Sequence, residues 1–265
     1  MLERGRRVMS RVALRRPPCE VCSWGAAHTR YLGQDARWYA QDPGSGAAEH
    51  RFCDKHVPPE GSLSLDLTGD RDIEWSFVAA CAGRYAGPGT RVLDFGAGSG
   101  SLSYAAASTG ASVLAIDLMP RKFPLSYPSI EFRQVNLFDL GEETDMFDLI
   151  MNCSTIEHVG LEGRYGSPDQ PDGDLTAMRK LATMLKPGGH MALVLPVGVD
   201  AVFAPYHRVY GEERLPRLLE GYRVIEERYM RKDVRNTYFE CSRDEALRDE
   251  ASPRYYALGL LVLQT

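Results

Sequence analysis

Three glycines at alternate positions follow an acidic residue, and their spacing suggests a ligand site. Asp94 ends the apolar run Val92-Leu93, and the glycines after it are Gly96, Gly98 and Gly100. Glycine permits a tight turn and lets a ligand lie directly against the main chain. The residues from Ser101 onward read as the start of a helix, whose free N–H groups point into that turn. A strand, a glycine turn and a helix N-terminus together form a nucleotide-sized site.

A second acidic residue, Asp117, ends the next apolar segment, which begins at Ala111. A carboxylate at this place can accept hydrogen bonds from both ribose hydroxyls of an adenosine group. An NAD site also uses such an acid, but a dinucleotide would place its pyrophosphate on the helix N-terminus. Asp94 would put negative charge close to that phosphate, and Ser101 stands where the usual third glycine would be. These features disfavour a dinucleotide.

A second candidate site lies near the N-terminus, in two short motifs of soft ligands. Cys19-x-x-Cys22 and Cys53-x-x-His56 each place two ligands on one tight turn, which suits tetrahedral zinc. So small a segment could hardly fold on apolar burial alone, so a metal would supply the missing stability. We predict a structural zinc ion, with His28 and His50 as substitute ligands. The alternative is three free thiols and a surface histidine in a loop.

The elements that must position these residues alternate between strands and helices. Helices are predicted over 72–85, from Ser101, over 174–185 and over 212–220, and strands over 92–93, 111–117, 130–136, 147–153, 190–196, 222–229 and 255–263. Such alternation predicts an α/β fold with seven strands in a mostly parallel, helix-covered sheet. The last strand has no helix after it and can enter antiparallel. Pro58-Pro59-Glu60-Gly61 marks a boundary between residues 1–60 and residues 61–265.

Composition limits the class of protein. The chain has 265 residues, of which 44% are hydrophobic and 25% charged, and its net charge of −5 disfavours a protein built mainly to bind nucleic acid. It contains no apolar run long enough to span a membrane. Met1–Arg16 is basic but lacks the apolar block of an export signal, so we expect a cytoplasmic protein. In that reducing compartment the cysteine spacing favours metal over disulfide.

Five segments in order resemble the motifs of class I S-adenosylmethionine-dependent methyltransferases. They are Val92–Gly100, Asp117, Asn136–Asp139, Phe147–Ser154 and Leu185–Gly189. The resemblance covers about residues 65–265 and implies a Rossmann-like fold and methyl transfer from S-adenosylmethionine.

The resemblance also implies the cofactor-binding residues. The glycine turn would hold the amino-acid tail, with Asp94 beside its ammonium group, and Asp117 would take the ribose. Asn136 would pair with the adenine, with Asp139 as the other candidate, and Ser154 would lie near the sulfonium. The full implied set is Asp94, Gly96, Gly98, Gly100, Asp117, Leu118, Asn136, Leu137, Asn152 and Ser154.

Polar segments after the fourth and fifth strands resemble a second, narrower family. This little-characterised methyltransferase-like family is often found beside glycan-processing genes. The matching segments are Ile156–His158, Gly163–Ser167, Pro196–Gly198 and His207–Gly211, with Ser167 standing where that family has Asp. Because they follow carboxyl ends of strands, they should face one cleft. The candidate catalytic residues are His158, His207 and Glu157, and the candidate substrate-binding residues are Arg164, Tyr165, Asp174, Arg208 and Tyr210.

These groups suit a polyhydroxylated acceptor. We hypothesise O-methylation of a sugar or glycan, such as an actinobacterial mannose or glucose saccharide, with His158 or His207 as general base. A Mg²⁺ ion held by Glu157, His158 or Asp174 is a further hypothesis. Structural alternatives stay open, because Glu157 and His158 could orient the next helix, and Arg164 and Arg208 could form buried pairs.

Three other functions remain open at this stage. The first is O- or N-methylation of a phenolic or aminoglycoside-like natural product. The second is methylation of RNA or protein with the cysteine segment as recognition module, although the acidic balance disfavours RNA. The third is a non-catalytic S-adenosylmethionine-binding module. We expect a small-molecule or oligosaccharide acceptor, no nucleic acid and no membrane span, and leave a homodimer open.

Overall fold

The computed structural model describes residues 37–41, 48–52, 70–120, 127–141, 145–162, 165, 169–232, 238–253 and 255–265. The chain divides into two units, Met1–Asp72 and Ile73–Thr265, whereas the sequence suggested a boundary at residue 60. In the first unit, strand β1 (Arg37–Gln41) pairs antiparallel with β2 (Ala48–Phe52). The predicted zinc ligands Cys19, Cys22, Cys53 and His56 lie outside the described residues, as does Arg164.

The first half of the second unit follows the predicted alternation closely. Its elements are α1 (Arg71–Tyr85, of which all but the first two residues belong to this unit), β3 (Arg91–Phe95), α2 (Ser101–Ser108), β4 (Ser112–Asp117), β5 (Ile130–Gln134) and β6 (Phe147–Cys153). Short 3-10 turns over Leu137–Asp139 and Ile156–His158 follow β5 and β6. These turns carry several of the predicted site residues.

The second half adds elements that the sequence pattern did not indicate. Its elements are α3 (Gly173–Met184), β7 (Leu185–Val197), β8 (Ala201–Phe203), β9 (His207–Val209), α4 (Arg214–Leu218), β10 (Arg223–Lys232), β11 (Tyr238–Cys241), α5 (Arg243–Leu247) and β12 (Ala257–Gln264). Strands β8 and β9 form a small antiparallel hairpin of their own. The three-residue strands are too short to show a two-residue periodicity.

The main sheet has the strand order β11-β10-β12-β7-β6-β3-β4-β5. Strands β3 to β7 are parallel, whereas β12 runs antiparallel to both β7 and β10. This confirms a mostly parallel sheet with antiparallel C-terminal strands. The predicted count of seven strands was wrong for the described chain, because β11 pairs with β10 as an eighth.

Helices cover both faces of the sheet and create two apolar cores. One core packs α3, α4 and α5 on the sheet, and the other packs α1 and α2 on the opposite face. The parallel strands β3, β4, β6 and β7 end at the same edge, so the loops after them lie side by side. No described helix is long and apolar enough to cross a membrane.

Candidate functional site

The glycine turn lies at the carboxyl edge of the sheet, between β3 and α2. Gly96, Gly98 and Gly100 have φ angles of 77°, 54° and 79°, a region that strongly favours glycine. The main-chain N–H groups of Gly96 and Ala97 both donate to the carbonyl of Ile116, at 2.9 and 3.0 Å. These bonds fasten the turn to the end of β4.

Asp117 holds the glycine turn from the neighbouring strand. Its Oδ2 accepts a hydrogen bond from the Gly98 N–H at 3.0 Å, and its Oδ1 accepts one from the Met119 N–H at 2.8 Å. A carboxylate offers about four acceptor positions, so it can fix this turn and also receive ribose hydroxyls. The apolar side chains that follow, Leu118 and Met119, are 37% and 40% exposed and lie beside this carboxylate.

Asp94 lies beneath the turn and is only 2% exposed. The hydroxyl of Ser103 on α2 donates a hydrogen bond to its Oδ2 at 2.5 Å. Burial raises the pKa of Asp94 to about 6, against the opposing effect of the Ser103 bond, and the nearby charge of Asp117 raises it further.

The predicted adenine residues form the 3-10 turn after β5. The amide oxygen of Asn136 accepts a hydrogen bond from the Phe138 N–H at 3.0 Å and so caps the turn. Leu137 is buried in the core, and Asp139 is exposed.

These residues fit S-adenosylmethionine better than a phosphate-bearing nucleotide. Asp94 and Asp117 place two carboxyl groups at the turn, which suits a ligand with an ammonium group and no phosphate. A Cβ placed on Gly98 would meet no atom closer than the Gly96 carbonyl at 3.9 Å, so the turn leaves room for a ligand. The exposed apolar Leu118 and Met119 suit the face of an adenine.

The chain turns sharply where β6 ends. Asn152 is fully buried, and its Oδ1 accepts a hydrogen bond from the Ile156 N–H at 3.3 Å. Ser154 has a φ of 47°, unusual for a residue with a side chain, and its hydroxyl donates to the carboxylate of Glu74. Thr155 then packs on the glycine turn, since a Cβ on Gly96 would lie 2.2 Å from its Oγ1.

Sequence reasoning missed Glu74, although a signal was present. Glu74 shares one face of α1 with Val78, Cys81 and Ala82, all of them buried. An acidic residue within the apolar stripe of a helix is uncommon unless it is paired.

His158 is held in a defined orientation at the end of the following 3-10 turn. Its Nδ1 lies 2.6 Å from the carbonyl oxygen of Tyr206, in the β8–β9 connection. A carbonyl only accepts, so Nδ1 carries the proton of that bond. The Nε2 atom lies 3.6 Å from Oε1 of the buried Glu157, and the ring meets Tyr165 edge-on at 5.3 Å.

Arg208, Asp174 and Tyr210, three predicted substrate residues, lie instead in a buried network. The Arg208 guanidinium donates to the carbonyls of Val159, Gly160, Gln170 and Pro171, at 2.5, 3.4, 3.2 and 3.3 Å. Asp174 accepts hydrogen bonds from Tyr210 at 3.0 Å and from Arg214 at 2.9 and 2.6 Å. The pKa of Tyr210 is raised well above its usual value, first by burial and then by Asp174.

The network bears on the Mg²⁺ hypothesis. The Asp174 carboxylate is already paired with Arg214, and the Arg208 Nε lies 3.8 Å away, so a dication there would meet two guanidinium groups. Across the residues that the structure describes, no three His, Cys, Asp or Glu side chains come together as a metal-binding group. The structure therefore gives the Mg²⁺ hypothesis no support.

His207 lies apart from that network, among aromatic rings. It is buried, with ring centroids 5.9 Å from Phe203 and 4.9 Å from Tyr256, both edge-on. The ammonium group of Lys232 lies over the rings of Tyr238 and Tyr256, at 4.9 Å from each. This cluster sits where β10 ends and β12 begins, at the same sheet edge as the glycine turn.

Comparison with known proteins gives a family match over most of this unit. A family model described as "Caenorhabditis protein of unknown function, DUF268" matches residues 106–257, more than half of the chain. The chain belongs to the DUF268 family. The association with glycan-processing genes stays a prediction.

Curated relatives of this family member include O-methyltransferases. The "Ubiquinone biosynthesis O-methyltransferase" of Xanthomonas campestris pv. campestris (strain B100) is 37% identical over 181 residues, which are 65% of this chain and 66% of the relative. The chain thus spans just under two thirds of that relative's length. The protein of the same name from Cereibacter sphaeroides (strain ATCC 17025 / ATH 2.4.3) is 36% identical over 110 residues, which are 39% of this chain and 40% of the relative.

A solved structure shows the same fold. The N-methyltransferase NodS from Bradyrhizobium japonicum WM9, in complex with S-adenosyl-L-homocysteine, is 17% identical and superposes with a TM-score of 0.50. The likeness covers 74% of this chain and 87% of that chain. The second unit therefore has the class I S-adenosylmethionine-dependent methyltransferase fold.

Burial of Asp94 predicts a specific pH dependence of stability. The folded pKa of about 6 exceeds the ordinary value of 3.8, so the stabilising contribution is fully present below the ordinary value and is lost as pH rises through about 6. Asp94→Asn removes this titration and keeps an oxygen that can accept the Ser103 bond. From pH 5 to pH 7.5, the wild type should lose about 1 kcal/mol of unfolding free energy relative to the variant. Urea unfolding at both pH values measures this, and a constant difference would contradict it.

Proposed function

We propose that this chain transfers the methyl group of S-adenosylmethionine to an oxygen atom of a small-molecule acceptor. The observation that carries the proposal is the packing of Thr155 on Gly96, because it places the glycine turn directly beside the segment that bears His158. The proposed donor site therefore contacts Thr155, the residue that immediately precedes the 3-10 turn bearing the candidate base. The curated relatives named as O-methyltransferases support oxygen as the methylated atom.

Different described residues would bind the methyl donor and act on the acceptor. When bound, S-adenosylmethionine supplies an electrophilic methyl group. Asp117 would receive the ribose hydroxyls, and the glycine turn would hold the amino-acid tail near Asp94. The exposed Leu118 would cover one face of the adenine, above the turn capped by Asn136.

His158 is our candidate general base. Because Nδ1 donates to the Tyr206 carbonyl, proton transfer from an acceptor hydroxyl falls to Nε2. Glu157, 3.6 Å from that atom, would stabilise the imidazolium that forms. His207, buried among aromatic rings, is the second candidate.

Arg208 is better assigned a positioning role than a substrate-binding one. Its guanidinium is buried and pins both ends of the segment between Val159 and Pro171, which includes Tyr165. Just after this segment, Asp174 accepts hydrogen bonds from Tyr210 and Arg214. Together they would fix the wall of the acceptor site that meets His158.

The acceptor class has two candidates. The first is a sugar or glycan hydroxyl, which the polar residues after the fourth and fifth predicted strands favour. Three of those residues, Arg208, Asp174 and Tyr210, are however hydrogen-bonded within the buried network. An aromatic hydroxyl is the second candidate, favoured by the relatives whose name refers to ubiquinone biosynthesis.

Binding and transfer can be tested on the purified chain. We expect titration calorimetry to show that the wild type binds S-adenosylmethionine, and that Asp117→Asn weakens binding at least tenfold, or about 1.4 kcal/mol, by removing a carboxylate oxygen. Donor with a labelled methyl group, offered with matched sugar and phenol panels, would then identify the acceptor class. No measurable binding would refute the function, whereas binding without transfer to any acceptor would favour a non-catalytic module.

Replacing the candidate base should slow the chemistry and leave donor binding intact. We expect His158→Gln to lower kcat by about 10²- to 10⁴-fold, the usual worth of a positioned base, with less than threefold change in the affinity for S-adenosylmethionine. The matched variant His207→Gln should lower kcat less than tenfold. The opposite ranking would assign the base to His207, and unchanged turnover in both would exclude a histidine base.

We further propose that Cys19, Cys22, Cys53 and His56 bind a structural zinc ion, on the basis of their spacing. Metal analysis of the purified full chain should give about one zinc per chain. Cys19→Ser with Cys22→Ser should abolish it, whereas Cys241→Ser on β11 should not. Zinc-free wild type, purified without chelator, would refute the site.

A further inference from the structure

A buried contact joins Glu74 of α1 to Ser154, the residue that follows β6. Glu74 is 1% exposed, and its Oε1 accepts a hydrogen bond from the hydroxyl of Ser154. The sequence predicted no site residue in α1, and Glu74 takes no direct part in the proposed reaction. A carboxylate is rarely buried so completely without serving a specific partner.

Ser154 needs such a partner because of its backbone. A φ of 47° is unfavourable for a non-glycine residue and persists only when its surroundings hold it. Two bonds hold it here: the Ser154 N–H donates to the Val194 carbonyl at 2.9 Å, and the side chain donates to Glu74. The first bond joins Ser154 to β7, and the second joins it to α1.

The conformation of Ser154 decides where the next residues go. The chain reverses at this point, Thr155 comes against Gly96, and the N–H of Ile156 reaches the Asn152 side chain at 3.3 Å. The 3-10 turn that carries Glu157 and His158 starts from there. The backbone conformation of Ser154 therefore contributes to how the glycine turn and His158 lie relative to each other.

We propose that Glu74 is a positioning residue for methyl transfer. It holds Ser154 in the left-handed conformation and thereby sets the alignment of the methyl donor with the base on the following turn. The inference rests on the proposed methyltransferase function. Methyl transfer needs an in-line arrangement of oxygen, methyl carbon and sulfur, so a small shift between the two loops costs rate more than affinity.

The Ser154→Gly variant provides the decisive test, because glycine adopts a positive φ without strain and needs no side-chain hydrogen bond to hold it. Glu74→Leu, which removes the acceptor of the Ser154 hydrogen bond, and Ser154→Ala should each lower kcat at least tenfold, with less than threefold change in donor affinity by calorimetry. Ser154→Gly should keep at least tenfold more activity than Ser154→Ala. In the Ser154→Gly background, Glu74→Leu should lower kcat by less than threefold.

Hydrogen exchange gives a readout that does not depend on activity. Backbone amides of residues 153–160 should exchange faster in Glu74→Leu and Ser154→Ala than in wild type, and Ser154→Gly should remain closer to wild type. If Glu74→Leu does not fold, the comparison of Ser154→Ala with Ser154→Gly carries the same test. A matched control is Asp148→Asn, which removes the carboxylate paired with Lys186 at the other end of β6 and should leave kcat unchanged.

The outcomes separate this inference from the proposed function. If the wild type fails to bind S-adenosylmethionine, the function fails, whatever the exchange data show. If the wild type binds and transfers methyl groups but Glu74→Leu is as active, the inference fails alone. Equal loss of activity in Ser154→Ala and Ser154→Gly would also overturn it, because the hydroxyl rather than the backbone would then be required.

Discussion

The close approach of two loops at Gly96 is the constraint on which the candidate site depends. A side chain at this position would overlap Thr155, so the turn after β3 and the turn after β6 can touch only because one of them has no Cβ. Methyl transfer requires donor and acceptor groups within bonding reach, and a sheet edge with bulkier loops would keep them apart. The neighbouring strands bring the loops to the same edge, and the glycine lets them meet.

Three buried acidic side chains form hydrogen bonds in and around the candidate site. Asp94 under the glycine turn, Glu74 on α1 and Asp174 on α3 are all carboxylates inside the protein, and each has a hydroxyl or guanidinium partner. Removing a carboxylate from water costs more free energy than burying a hydrophobic residue of the same size, so each of these groups depends on its hydrogen-bond partner. Glu74 and Asp174 lie on helices that pack on opposite faces of the sheet, and Asp94 lies beneath the glycine turn.

Much of this architecture could be predicted from the sequence, because it is encoded locally. The glycine turn, Asp117 and the strands from β3 to β7 follow from short apolar runs and the residues that end them. The network around Arg208 could not be predicted, since its partners between Val159 and Pro171 lie far away in the chain. Glu74 and Ser154 are likewise 80 residues apart. Strand β11 has only four residues, too few to show a two-residue periodicity, so only its pairing with β10 identifies it as a strand.

The strand order has a consequence for how the sheet is assembled. Strand β12 lies between β7 and β10, although it is made after both. Strand β10 therefore joins the parallel strands only through β12, and β11 in turn pairs with β10. Strand β12, the last strand of the chain, is the one that pairs with β7. The parallel strands can therefore pair with one another before β12 is available, and the edge of β7 is open to other strands until β12 pairs with it.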